Sequence, residues 1–227
     1  MNLHELPFYI CHCKKLEERK VLMESELEKI GVKNATWILD YDGDELEDDY
    51  EQEILDTSLW DERMNLPTYL STPPFRVLAK PVASLVIKHR EAYRKFLETD
   101  SDYALISEDD SMFTDNFVDD FNKFMKELPE GADIVHICGG CCGQVPNSIK
   151  EEKYFYKKNE SRGTGLYLIS RKAAEVMEYG LEKFCGPIDF EMNYFILMER
   201  LNSYWLHPIL VEQGSEIYGS VLKDIRL

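Results

Sequence analysis

The chain has 227 residues, 44% of them hydrophobic, and a formal net charge of −17. That length and apolar content allow one generous domain with a sizeable core and exclude a disordered chain. The charge argues against nucleic acid, which binds by neutralising phosphate with Lys and Arg, and against anionic membranes. An anionic substrate stays open, because a metal and a few basic side chains reverse the potential locally.

No apolar run approaches the roughly 20 residues of a membrane helix. Met1 to Pro7 shows no basic region followed by an apolar core, so no signal peptide is expected and a cytoplasmic setting is. The six cysteines, Cys11, Cys13, Cys138, Cys141, Cys142 and Cys185, therefore read as reduced thiols.

Phe8 to Cys13 reads as a first strand. Leu22, Met23, Leu27 and Ile30 then recur at helical spacing over Glu17 to Ile30, with Gly31 as a left-handed cap. Thr36 to Leu39 is a second strand, and this β-α-β opening predicts a parallel sheet. Tyr41 to Asp61 is dense in Asp and Glu and reads as a solvated loop with a weak helix. Pro73-Pro74 marks a break. A helix runs from Pro81 to Glu98, with Val82, Val86, His89, Tyr93 and Phe96 along one face.

The apolar run Tyr103 to Ile106 then leads into Ser107-Glu108-Asp109-Asp110. A buried strand ending in three carboxylates puts concentrated negative charge at the carboxyl edge of a sheet, where open α/β sheets bind ligands. Such crowding calls for a positive partner, and a hard divalent cation held by oxygen is the usual one. Glu108 and Asp110, spaced i, i+2, leave the strand on one side, while Asp109 points to a backbone or basic partner. The plain alternative is an acidic turn that opens the next helix.

Thr114 or Asp115 is expected to cap a helix carrying Phe117, Phe121 and Phe124. Ala132 to Ile137 and Thr164 to Ser170 read as strands, separated by an aperiodic polar stretch from Gln144 to Arg162. Arg171 to Tyr179 reads as a helix stopped by Gly180, Pro187 starts another, and Tyr204 to Val211 is a last strand around Pro208. The alternation predicts an α/β fold.

Three further constellations carry chemistry. Gly163-Thr164-Gly165 allows close backbone approach to a ligand, or is a plain turn. Pro187-Ile188-Asp189 sets a carboxylate at the positive end of a helix, either as dipole compensation or as a general base. His207 is either structural or a metal ligand beside carboxylates. Cys138-Gly139-Gly140-Cys141 with Cys11 and Cys13 offers a weaker zinc alternative, lacking the repeated C-x-x-C of structural sites.

Taken in order, the segments resemble glycosyltransferase family 25, the lipooligosaccharide and procollagen galactosyltransferases. The resemblance runs through Tyr9-Ile10-Cys11-His12-Cys13 with Arg19-Lys20-Val21-Leu22-Met23, then His89 and Tyr93 of the helix, and Leu105-Ile106-Ser107-Glu108-Asp109-Asp110. It continues through Gly163-Thr164-Gly165-Leu166-Tyr167-Leu168-Ile169-Ser170, Pro187-Ile188-Asp189 and Pro208-Ile209-Leu210-Val211-Glu212-Gln213 with Ser215 and Ile217. It departs where His12-Cys13 replace Asn-Leu and where Leu85 and Lys88 replace Cys and Ser.

The resemblance implies a GT-A-like fold, mostly parallel with helices on both faces, in a single domain over 1–227. A donor-binding part would span about 1–140 and an acceptor part about 141–227. It implies inverting transfer of galactose or glucose from a UDP-sugar to a hydroxyl of a glycan or protein. Asp110 would hold Mn²⁺ or Mg²⁺ with Glu108 or His207, and Asp189 would be the base. Arg19, Lys80, His89, Gly163 and Thr164 would contact the nucleotide. The alternative is a relative without turnover that binds nucleotide or glycan. A nucleotidyltransferase is disfavoured, since no Gly-rich phosphate loop follows the first strand.

Overall fold

The computed structural model describes residues 1–47, 49–63, 78–139, 153–161 and 163–214. Strand β1 (Phe8–Cys11), helix α1 (Glu17–Lys29) and strand β2 (Thr36–Ile38) form the expected parallel opening. Gly31 follows α1 at φ 71°, the left-handed cap its position predicts. Two short helices, α2 (Tyr50–Ile54) and α3 (Trp60–Arg63), order part of the acidic stretch. Helix α4 (Lys80–Leu97) carries Pro81 in its first turn, where a missing N–H leaves no bond unmade.

Strand β3 (Tyr103–Glu108) turns at once into β4 (Ser111–Phe113), which precedes α5 (Phe117–Phe124). Asn116, not Thr114 or Asp115, takes the N-cap position of α5, and no side chain caps it. Asp115 instead lies out in solvent, 3.3 Å from Lys29. Next come β5 (Ile134–His136), β6 (Phe155–Lys157), β7 (Leu166–Ser170), α6 (Arg171–Gly180), α7 (Ile188–Met198), β8 (Ser203–Leu206) and β9 (Val211–Gln213). The single strand expected over 204–211 is two strands in different sheets, because the chain turns at Pro208. Pro73-Pro74, Cys141, Cys142, Ser215 and Ile217 lie outside the described residues.

Seven strands form one sheet in the order β2-β1-β3-β7-β5-β8-β6, and β4 pairs with β9 in a second, antiparallel ribbon. In the large sheet β7 and β6 run against the others. This is an α/β architecture with a mostly parallel sheet and helices on both faces.

The period of two along each strand explains why both faces are covered. Tyr9 and Cys11, Ala104 and Ile106, and Tyr167 and Ile169 point to one face, against α4, α6 and α7 through Tyr93, Phe96, Met177 and Met192. Phe8 and Ile10, Leu105, and Leu166 and Leu168 point to the other, against α1 and α5 through Met23, Leu27, Phe117 and Phe121. Burying each large apolar side chain is worth about 1.5–3 kcal/mol. No helix among the described residues is long and apolar enough to cross a membrane.

Gly180 was expected to stop α6 as a breaker, yet it sits inside the last turn. Its reason is packing: a Cβ there would lie 2.3 Å from the Phe195 ring of α7. Gly180→Ala should lower stability by about 1–3 kcal/mol through overpacking, read as a shifted urea midpoint. A midpoint equal to wild type contradicts this close approach.

Candidate functional site

From β1 the chain steps to β2 on one side and later returns as β3 on the other. That reversal of strand order opens a crevice beyond the carboxyl ends of β1 and β3, the place where open α/β sheets take ligands. Here it is a cavity of about 370 Å³. Its walls are Cys11, His12 and Cys13 leaving β1, Arg19 from α1, and Ser84, Leu85 and Lys88 from α4. Glu108, Asp109 and Asp110 leaving β3, with Gln213 of β9, complete it.

Backbone bonds fix the acidic strand end. The Glu108 N–H donates to the Gly165 carbonyl (2.9 Å), and the Gly214 N–H donates to the Asp110 carbonyl (2.7 Å). The Ser111 hydroxyl also donates to Gly165 O, at 2.8 Å. Gly165 is required for that approach, since a Cβ there would lie 2.9 Å from Cys138 Sγ. The second glycine of Gly163-Thr164-Gly165 therefore serves protein packing rather than a ligand.

The three carboxylates have different partners. Asp109 takes two basic ones: His12 Nδ1 lies 2.7 Å from Oδ2, and Arg19 Nη1 donates to Oδ1 at 2.9 Å. Glu108 accepts from the Thr164 hydroxyl at 2.5 Å. Among the described residues, Asp110 has Arg19 at 3.8 Å as its one counter-charge, and its buried Oδ1 meets no hydrogen-bond partner.

Burial first, then the neighbouring Asp110, pushes the Glu108 carboxyl up to about 8. Asp110 rises to about 6, again through burial, with Arg19 opposing the rise. The pair thus holds protons that free carboxylates would release, as expected of acids crowded out of water.

Lys88 is a basic residue of the cavity wall to which the sequence reading gave no role. It is 2% exposed. Its ammonium donates to Leu39 O (3.1 Å) and Asp40 O (2.7 Å) and lies 2.9 Å from Asp42. Asp42 in turn accepts from the Lys14 N–H at 2.9 Å. This clamp ties the exits of β1 and β2 to α4 and shapes the crevice wall. Two carbonyls accept from the ammonium and Asp42 supplies its counter-charge, so Lys88 builds the wall rather than offering an open charge.

Other candidates lie elsewhere. Lys80 donates to Leu46 O at 2.8 Å and lies over the Tyr50 ring, and it is not part of the cavity lining. His89 is wholly buried, 2.8 Å from the Tyr167 hydroxyl, and burial drives its imidazole down to about 3. It therefore sits neutral in the core under the sheet, away from the cavity. His207 follows β8 and packs near Tyr156. In the sheet order β7 and β5 stand between β8 and β3, and His207 is not part of the cavity lining.

Asp189 stands in the first turn of α7, its carboxyl raised by burial and opposed by the backbone N–H groups of that turn. Its charge reaches Glu108, although it does not line the cavity. Among the described residues, no group of three His, Cys, Asp or Glu is arranged to hold a metal. Cys11 and Cys138 are buried, and the partner that the zinc alternative needs, Cys141, lies outside the described residues.

No family model and no curated protein matches this chain. Three solved structures are similar to it at a distance. A197 from STIV is 23% identical over 54% of this chain and 63% of its own, with a TM-score of 0.33. The match thus spans less than two thirds of that chain. Mouse xyloside xylosyltransferase 1, apo form, is 10% identical over 90% and 83%, with a TM-score of 0.40. HddC from Yersinia pseudotuberculosis, complexed with GMP-PN, is 13% identical over 87% and 90%, with a TM-score of 0.38. No activity is carried over from likenesses this distant.

The raised acids set a pH dependence. The folded state binds more protons than the unfolded state between the ordinary Glu value of 4.5 and about 8. Stability conferred by this pair therefore falls as pH rises through that window. Melting curves of wild type and Glu108→Gln should diverge in favour of the variant between about pH 5 and about pH 8. A constant difference across that range contradicts a protonated Glu108.

Proposed function

We propose that the chain is a glycosyltransferase that moves a hexose from a UDP-sugar to a hydroxyl of a glycan or protein. One observation carries the reading: Glu108 and Asp110 stand at the β1/β3 crevice, and among the described residues a buried carboxylate oxygen of Asp110 has no hydrogen-bond partner. The order of motifs resembling glycosyltransferase family 25, with its GT-A-like fold, supports it.

The donor set suits Mg²⁺ or Mn²⁺, which proteins hold with one or two carboxylates while substrate phosphates complete the shell. Asp110 would hold the ion with Glu108 beside it, which makes a third protein ligand such as His207 unnecessary. Bound there, the ion supplies charge neutralisation for a departing diphosphate.

The protein's own groups divide the remaining work. The Thr164 hydroxyl fixes the Glu108 carboxyl, and Arg19 and His12 occupy the two oxygens of Asp109 in the crevice wall. The Lys88–Asp42 clamp shapes the wall, and Gln213 closes the far side. Asp189 is the proposed base. Its raised proton affinity suits removal of a proton from an acceptor hydroxyl as that oxygen attacks the sugar. The half of the chain that carries α7 would then form the acceptor side.

A non-catalytic reading draws on one fact, that Arg19 and His12 already compensate Asp109 without any ligand. Release of UDP from UDP-glucose or UDP-galactose with Mn²⁺ separates the two readings.

Asp110→Asn should abolish metal-dependent UDP release without lowering the melting temperature; ordinary turnover in that variant refutes the metal assignment. Asp189→Asn should keep UDP affinity and lower turnover by about 10²–10⁴-fold, the usual worth of a general base. Loss of UDP binding in that variant would make Asp189 a donor-positioning residue instead.

A further inference from the structure

Arg19 occupies an unusual place in the acidic cluster. Its guanidinium donates to Asp109 at 2.9 Å and stands 3.8 Å from Asp110 Oδ2. It lines the donor crevice on one side. On the other side it lines a small chamber of about 70 Å³, walled also by Asp109, Asp110 and Ser111. Arg19, Asp109 and Asp110 therefore stand between the two spaces and line both. Asp110 is only 6% exposed, and among the described residues its Oδ1 has no hydrogen-bond partner, so compensation of this carboxylate is incomplete there.

The two possible counter-charges compete. A divalent cation on Asp110 would sit within a few ångströms of the guanidinium, where like charges repel strongly because little water screens them. Asp109 already has His12 on its other oxygen, so it keeps a partner if Arg19 leaves. An arginine fork also matches phosphate oxygens as well as it matches carboxylate. Arg19 lies in the first turn of α1, at the rim of the crevice where a diphosphate would enter.

We infer that Arg19 is the resident counter-ion of the cluster, displaced from Asp110 by the divalent cation and transferred to the donor's diphosphate. This rests on the donor-site reading above. It adds that cation and nucleotide bind as a coupled pair: each alone meets Arg19 in the wrong place, and together they relieve it.

The test titrates MnCl₂ alone, and again with UDP present, into wild type, Arg19→Gln, Arg19→Lys and Asp110→Asn, following free Mn²⁺ by electron paramagnetic resonance. A neighbouring charge shifts a carboxylate's proton affinity by about 1–3 pK units, so Arg19→Gln should bind Mn²⁺ alone at least about tenfold more tightly than wild type. The same variant should gain less Mn²⁺ affinity from UDP than wild type does, because its cation site is already open.

Arg19→Lys, whose compact ammonium cannot serve two carboxylates as a fork does, should shift in the same direction by less. It carries the test should Arg19→Gln fail to fold. Unchanged or weaker Mn²⁺ binding in the folded Arg19 variants overturns the inference and makes Arg19 a positioning residue, with the donor-site reading intact. If Asp110→Asn binds Mn²⁺ as well as wild type does, the ion is not at Asp110. The donor-site reading then falls, and this inference with it.

Discussion

Everything at the site depends on how three carboxylates at the end of one buried strand are kept from repelling each other. The fold meets that constraint unevenly. Asp109 receives two basic partners, Glu108 receives a hydroxyl and a proton, and Asp110 receives one distant guanidinium. The unevenness separates a structural carboxylate from two that remain receptive to a cation. A fully paired cluster would be an inert salt-bridge network. A fully unpaired one would be too costly to bury.

The sheet supplies the position. β3 lies beside β1, and the reversal of strand order there opens the crevice at their carboxyl ends. Gly165 and the β4–β9 ribbon pin the acidic backbone from behind, and the Lys88–Asp42 clamp braces the wall opposite. In a chain of net charge −17, this crevice sets Lys15, Arg19 and Lys88 beside Asp44, Glu108, Asp109 and Asp110.

Much of this is written in the sequence. The apolar runs of β1 and β3 and the 3.6 period of α4 are strong signals, because both faces of the sheet must be covered and each strand alternates between them. The basic partners of Asp109 accord with the sequence reading, but all three acids line one cavity, because the strand ends at Glu108 and Asp109 and Asp110 lie in the turn beyond it. His89 falls on the same stripe as Val82, Val86, Tyr93 and Phe96, and that spacing already marks it as core. Strand direction is less legible: nothing in Leu166 to Ser170 says that β7 runs against β3, since periodicity carries no sense of direction. The edge strand β6 escapes notice because three residues with an exposed Lys157 make no pattern. Lys88 escapes because a lysine beside a buried stripe looks solvated until the carbonyls of Leu39 and Asp40 arrive from a distant turn.

The claim that these carboxylates hold a cation with a sugar nucleotide is tested most directly by a crystal structure with Mn²⁺ and UDP. The account predicts metal density between Asp110 and the diphosphate, with the nucleotide lying across the ends of β1 and β3. Nucleotide bound elsewhere, with Asp109 and Asp110 still engaged only by Arg19 and His12 and no metal beside them, would contradict it.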